Sequence, residues 1–228
     1  SSTDAKNASI STCSSVLAMT RLRLYHFVRR PLSSFYGIIA TSMVRGRFIT
    51  FEGGEGCGKS TQVQRLRQAL EADGKTVVTV REPGGTPLAE TIRSLLKDDI
   101  VDPPCDRSEL LLFLAARAQL VRNVIAPALE RGDWVVSDRF GDSTLAYQGY
   151  GRGLPLDFVG AAHDFACAGL KPDLPLLHDV SHETAVARMR RRESETNTSA
   201  DRIERAGDGF HERIRRGYAE IAAANPQR

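Results

Sequence analysis

The octet Gly53-Gly54-Glu55-Gly56-Cys57-Gly58-Lys59-Ser60 has the spacing G-x-x-x-x-G-K-[ST]. It follows the apolar run Arg47-Phe48-Ile49-Thr50-Phe51 and opens into Thr61-Gln62-Val63-Gln64-Arg65-Leu66, which reads as a helix. Glycines let backbone N–H groups curl around a polyphosphate, and the start of a helix adds partial positive charge. Lys59 is placed to reach the β and γ phosphates, and the Ser60 hydroxyl to ligate Mg²⁺. An ordinary glycine-rich turn needs none of the strand, the Lys-Ser pair or the helix. The octet is read as a nucleoside triphosphate site. A second carboxylate belongs with it: Trp134-Val135-Val136-Ser137 is a short buried-type strand that ends on Asp138, where a Mg²⁺-organising group should stand.

Asp138-Arg139-Phe140-Gly141 also fits the D-x-x-G of regulatory GTPases. Those proteins need an N-K-x-D guanine reader as well, and the chain contains none. Arg139 is therefore read as a clamp on an acceptor phosphate, which a guanidinium grips in a planar, bidentate way. A surface ion-pair arginine is the plain alternative.

The elements that must position these residues alternate in type. Val63, Leu66 and Leu70 share one helical face, and Gly74 stops that helix. Thr76 to Val80 is a β-branched strand. Asp106 and Glu109 have capping-box spacing ahead of Leu110-Leu111-Leu112-Phe113-Leu114, which predicts a long apolar helix to about Asn123. Leu174 to Val180 reads as a fourth strand. Ser181 caps a helix through Ala185, Val186 and Met189, and Phe210, Ile214, Tyr218 and Ile221 mark a last one. Strands alternating with helices, without hairpin signals, predict a parallel α/β sheet with ligands at the carboxyl ends of its strands.

Composition narrows the classes. At 228 residues, 41% hydrophobic and 26% charged, the chain can build one sizeable core. A net charge of +3 is too small to argue for nucleic acid as a partner, and none is expected. Cys13, Cys57, Cys105 and Cys167 lie far apart, which suits a reducing compartment. His178 and His182 need not share a face, so no metal site is read there. No apolar run approaches the roughly 18 residues of a membrane span. Residues 1–42 are Ser/Thr-rich and basic, with Asp4 as their acidic residue. They are expected to be a transit peptide, a disordered tail or non-native sequence. Met43 would be a sensible start for the folded domain, 43–228.

Arg81-Glu82-Pro83-Gly84-Gly85-Thr86-Pro87-Leu88-Ala89-Glu90, then Asp138-Arg139, then Ser143-Thr144-Leu145-Ala146-Tyr147-Gln148-Gly149 resemble bacterial thymidylate kinases, in family order over about residues 44–225. The resemblance implies a P-loop NTPase three-layer sandwich of nucleoside monophosphate kinase type. It implies transfer of the γ-phosphoryl group of ATP to dTMP, giving dTDP, with Mg²⁺ held by Ser60 and Asp138. Gly53 through Thr61 would bind ATP: Gly53, Gly54, Glu55, Gly56, Cys57, Gly58, Lys59, Ser60 and Thr61. Phe113 and Arg117, four apart on a helix, match the thymine pair, the ring stacking on the base and the guanidinium donating to O4. Thr144 and Gln148 match base contacts, and Tyr147 the residue that disfavours a 2′-hydroxyl. Arg93 and Arg139 match the dTMP phosphate clamp, Glu55 the 3′-hydroxyl partner, and Glu82 lies beside the acceptor. Because Gly56 leaves the phosphate loop without an arginine, the catalytic arginines would come from a lid at about 188–204: Arg190, Arg191, Arg192 and Arg202, beside Lys59, Asp138 and Arg139. The family further implies a homodimer in the cytoplasm, or in an organelle if residues 1–42 are a transit peptide, with no membrane partner.

Three features depart from the family. Ser194 to Ala200 lengthens the lid, Pro175 falls inside a strand, and the chain stops at Arg228, where relatives continue with a last strand and helix. Read that way, the strand from Leu174 becomes a sheet edge, which makes Pro175 tolerable. Two other readings stand beside the dTMP kinase: a kinase of another nucleotide, and a catalytically impaired nucleotide-binding module.

Overall fold

Every residue of β1 (Phe48–Glu52) is buried, because this strand runs between two neighbours. In the computed structural model, which describes residues 45–196 and 201–226, β1 pairs with β3 (Trp134–Asp138) on one side and β4 (Leu174–Leu177) on the other. β2 (Val77–Arg81) flanks β3, giving the order β2-β3-β1-β4. All three pairings are parallel, with Phe51 opposite Asp138 and Thr50 opposite Pro175. The extension expected over residues 1–42, and Asn197 to Ala200 of the lengthened lid, lie outside the described residues.

Helices cover the sheet. α1 (Lys59–Ala72) packs on β1, β2 and β3 through Val63, Leu66 and Leu70 and ends just before Gly74, as its pattern predicts. α2 (Pro87–Lys97) starts at a Thr86 cap, whose hydroxyl accepts from the Ala89 N–H at 3.2 Å. α3 (Asp106–Leu120) runs through a π-helical turn at Val121–Ile125 into α4 (Ala126–Glu130). Phe48, Leu120, Ile125, Leu129, Val135 and Phe140 close one cluster of the core. Beyond β3 come α5 (Gly141–Thr144), a π-helical stretch Leu145–Gly151, and α6 (Leu156–Ala166). α7 (His182–Thr196) and α8 (Asp208–Ala223) complete the described elements. Ser181 caps α7 as expected, its Oγ accepting from the Thr184 N–H at 3.3 Å. Phe210, Ile214 and Tyr218 are the buried face of α8.

Four expectations change. The fourth strand ends at Leu177 rather than Val180, because its partner β1 ends at Glu52 and Gly53 turns away with φ +134°. The helix expected to stop near Asn123 continues to Glu130, and Pro127, which cannot donate to a helical carbonyl, falls in the first turn after the widened one. The stretch Asp106–Glu130 thus reaches 25 residues at a mean hydropathy of 1.4, long and apolar enough to pass for a membrane span. Here it is a core helix, carrying Glu109 and Arg117 in buried ion pairs. The capping box does not form either: Cys105 precedes the helix, and the Glu109 carboxylate is used elsewhere. Among the described residues β4 stands at the edge of the sheet, where Pro175 costs little.

Candidate active site

The loops after β1, β2 and β3 leave the carboxyl ends of a parallel sheet and meet over one cavity of about 440 Å³. The phosphate loop forms one wall. α1 begins at Gly58 with no side-chain cap, which leaves its first N–H groups to an anion. Gly56 has φ +68°, and a Cβ there would stand 2.5 Å from the Ala185 carbonyl oxygen of α7. The Lys59 ammonium donates to Gly53 O at 3.0 Å, to Gly54 O at 2.7 Å and to Cys57 Sγ at 3.6 Å. Gly53, Gly54 and Cys57 therefore support the lysine, while Glu55, Gly56, Gly58, Ser60 and Thr61 line the cavity itself. Burial and Arg139 pull the Lys59 pKa down, against Glu55, Cys57 and Asp138. The Ser60 hydroxyl donates to Asp138 Oδ2 at 2.6 Å, so the two oxygen donors read from the sequence are neighbours.

Arg139 is held unusually. Its φ of +78° is left-handed, a conformation that costs a non-glycine residue about 1–3 kcal/mol and persists where surroundings impose it. The surroundings are on its backbone and its side chain: Arg139 N donates to Phe51 O at 2.9 Å, and Ser137 Oγ to Arg139 O at 2.6 Å. Nη1 donates to Gly53 O, and Nη2 to Glu55 Oε1 at 2.5 Å and the Tyr147 hydroxyl at 3.0 Å. Burial works against the Glu55 carboxylate, but Arg139, Lys59, Lys97 and Arg192 outweigh it and lower its pKa to about 2. Beneath, Ser143 Oγ joins Glu52 at 2.6 Å to the Tyr218 hydroxyl at 2.8 Å. Burial, then Asp142, pushes the Glu52 carboxyl up to about 8. Arg93 lines the same cavity and donates to Pro83 O at 2.8 Å.

The other end is closed by Phe113, Arg117, Thr144 and Gln148, all lining the cavity. Arg117 is buried and all five of its N–H groups face protein acceptors. Nε and Nη2 donate to Glu82 Oε2 at 2.8 and 2.5 Å, and Nη2 also to Phe140 O at 3.0 Å. Nη1 donates to Thr144 Oγ1 at 2.7 Å and meets His163 Nδ1 at 3.2 Å. His163 must accept there, and burial followed by the Arg117 charge lowers its pKa to about 4, so it stays neutral. Glu82 Oε1 is buried without a partner among the described residues. Arg117→Lys keeps the charge but has three donors for five contacts, so it should cost about 2 kcal/mol of stability. Chemical denaturation measures it; an unchanged midpoint would mean the fork holds nothing together.

The lid arginines divide. Arg192 lines the cavity, with Nη2 on Glu204 Oε1 at 2.8 Å. Arg188, absent from the sequence-based set, lines it too, and its Nη1 donates to Gly56 O and Cys57 O, both at 3.4 Å. Arg191 is exposed and pairs with Glu195 one turn on, and Arg190 is exposed and does not line the cavity. Arg202 turns inward instead, donating to Leu96 O at 3.1 Å and Glu109 Oε2 at 2.7 Å. Arg190, Arg191 and Arg202 thus do not face the cavity as expected: helical geometry aims Arg188 and Arg192, four apart, at the loop and the intervening pair away from it. Ser143, Glu52, Tyr218 and Glu109 were also missed. Ser143 stood inside a quoted motif; for the others no local signal exists.

Comparison with known proteins follows the same lines. The thymidylate kinase family model matches residues 51–228. The chain is 48% identical over 186 residues to thymidylate kinase from Alkalilimnicola ehrlichii, covering 82% of this chain and 84% of that protein. It is 46% identical to thymidylate kinase from Citrifermentans bemidjiense, over 80% of this chain and 82% of the relative. A crystal structure of thymidylate kinase from Ehrlichia chaffeensis aligns with a TM-score of 0.65 and 34% identity, covering 81% of this chain and 90% of that one.

Proposed function

The chain belongs to the thymidylate kinase family, and on that premise we propose how its cavity divides the work of an ATP-dependent dTMP kinase. The enzyme transfers the γ-phosphoryl group of ATP to dTMP, giving dTDP and ADP. The observation that carries the residue assignment is the meeting of two unlike halves in one cavity: a phosphate loop with Lys59 and Ser60, and a closed end with Phe113, Arg117, Thr144 and Gln148.

ATP lays its phosphates on the loop N–H groups, where Lys59 offsets charge on the transferring group. Arg139 and Arg93 hold the dTMP phosphate so that one of its oxygens attacks the γ-phosphorus in line and ADP leaves. Glu55, kept ionised by Arg139, accepts from the 3′-hydroxyl, and the Tyr147 ring stands against the sugar where a 2′-hydroxyl would intrude. Phe113 stacks on the base. Thr144, whose oxygen accepts from Arg117, has its own O–H to give to thymine O4. Arg117, with its N–H groups already engaged, therefore acts on the base through Thr144 rather than by the direct donation to O4 expected from the sequence. Ser60 and Asp138 form an all-oxygen pair that suits Mg²⁺ and would hold it; when bound, the ion offsets charge on the phosphate oxygens. Exposed Leu111 on α3, and Phe158 and Phe165 two turns apart on α6, support a homodimer packed through helices.

A coupled assay of ADP release with dTMP, dUMP, dCMP and thymidine tests this reading. dTMP should be used best, by about tenfold or more. Equal use of dCMP would overturn the base-end assignment. ATP binding with no turnover on any acceptor would show a nucleotide-binding module instead.

A further inference from the structure

Glu109 is fully buried, yet it sits on a helix opposite two segments that are far from it in sequence. Its Oε1 accepts from Gln148 Nε2 at 2.9 Å and Arg152 Nε at 3.0 Å. Its Oε2 accepts from Arg152 Nη2 at 2.9 Å and Arg202 Nη2 at 2.7 Å. Arg152 is itself fixed, its guanidinium lying 4.3 Å over the Phe210 ring. Burial alone would raise the Glu109 pKa, but the hydrogen bonds from Arg152 and Gln148 and the charge of Arg152 carry it below the ordinary range. The group facing Gln148 is therefore a carboxylate, which only accepts.

We propose that Glu109 is a specificity-determining residue that sets which way the Gln148 amide faces, so that the carbonyl oxygen, not the amino group, is presented to the base. The inference rests on the dTMP kinase reading and goes one residue deeper. A side-chain amide has a donor end and an acceptor end of nearly equal shape, so nothing in its own packing chooses between them. The carboxylate chooses: turning the amide over would set two oxygens about 3 Å apart and leave a buried acceptor unpaired. Gln148 is 1% exposed and lines the cavity, and its Oε1 accepts no hydrogen bond among the described residues. An acceptor in that place attracts a ring N–H, which thymine carries at N3. It repels the N3 lone pair of a cytosine ring. Reading a hydrogen-bond pattern with a buried, pre-oriented group discriminates more sharply than shape alone.

The test uses dTMP and 5-methyl-dCMP, which share the methyl group and differ in the polar edge of the ring. Glu109→Gln offers Gln148 either a donor or an acceptor, so the amide is no longer held. The ratio of kcat/KM for dTMP over 5-methyl-dCMP should fall by about tenfold. In a Gln148→Leu background the same substitution should leave the ratio unchanged, because there is no amide left to orient. An unaltered ratio in Glu109→Gln, with both substrates weakened alike, would overturn the proposal and leave Glu109 a structural anchor. So would an equal fall in the Gln148→Leu background. If Glu109→Gln fails to fold, Gln148→Leu alone must lower the ratio by a similar factor, and a parental ratio there overturns the proposal. A parent enzyme with no preference for dTMP would instead overturn the proposed function together with this inference.

Discussion

Lys59→Ala should reduce phosphoryl transfer by about three orders of magnitude while the fold persists. In the proposed reaction Lys59 is the cation that the phosphate loop brings to the transferring group, and its ammonium lies on the carbonyls of Gly53 and Gly54 at the loop's mouth. Transition-state charge is stabilised by groups that are in place before reaction, and this one is buried, where its field is less screened than in water. The loop geometry does not depend on it: glycine conformations, the start of α1 and the β1 ladder set the backbone path. Circular dichroism and the thermal midpoint should therefore stay close to those of the parent, while single-turnover rates collapse. Turnover within tenfold of the parent would remove Lys59 from the role assigned to it.

How far the sequence could be read depended on the distance over which each residue's task is decided. The phosphate loop, β3 ending on Asp138 and the buried face of α8 are local patterns, and each stands where its pattern predicts. Glu109 shows the limit. Three residues after Asp106 it has the spacing of a helix cap, but its task is settled by Gln148, Arg152 and Arg202, which lie 39, 43 and 93 residues away. Glu52 and Tyr218 are similar: a strand end and a helix face by pattern, they meet through Ser143 beneath Arg139. The widened turn before Pro127 and the early end of β4 follow from a missing donor and a missing partner strand, and the second of these is visible only once the sheet is assembled. Arg117 was legible as a cavity residue. That its five N–H groups would be shared among Glu82, Thr144, His163 and Phe140 was not, because those partners come from three separate segments of the chain.

The lid arginines turn on the same distinction, and they separate cleanly by experiment. Gly56 keeps the phosphate loop free of a side chain for a steric reason: α7 passes so close that a Cβ would meet the Ala185 carbonyl. The space an arginine in the loop would use is taken by the helix that supplies one instead, since Arg188 reaches back to Gly56 O and Cys57 O. Arg192, one turn further, is close enough for its charge to act on Glu55. Neutralising both in the double variant Arg188→Gln/Arg192→Gln should cut turnover by about two orders of magnitude or more, the scale on which an arginine finger works. The dTMP KM should change much less, because in the proposed reading Arg93 and Arg139, on other elements, hold the acceptor phosphate. Arg190→Gln/Arg191→Gln should stay within about twofold of the parent, as exposed ion pairs such as Arg191–Glu195 contribute little. Arg202→Gln should act through Glu109, disturbing discrimination between bases more than turnover. Equal losses in the first two double variants would mean that the lid supplies diffuse charge rather than two aimed guanidinium groups. Parental turnover in Arg188→Gln/Arg192→Gln would place the catalytic charge outside the lid altogether.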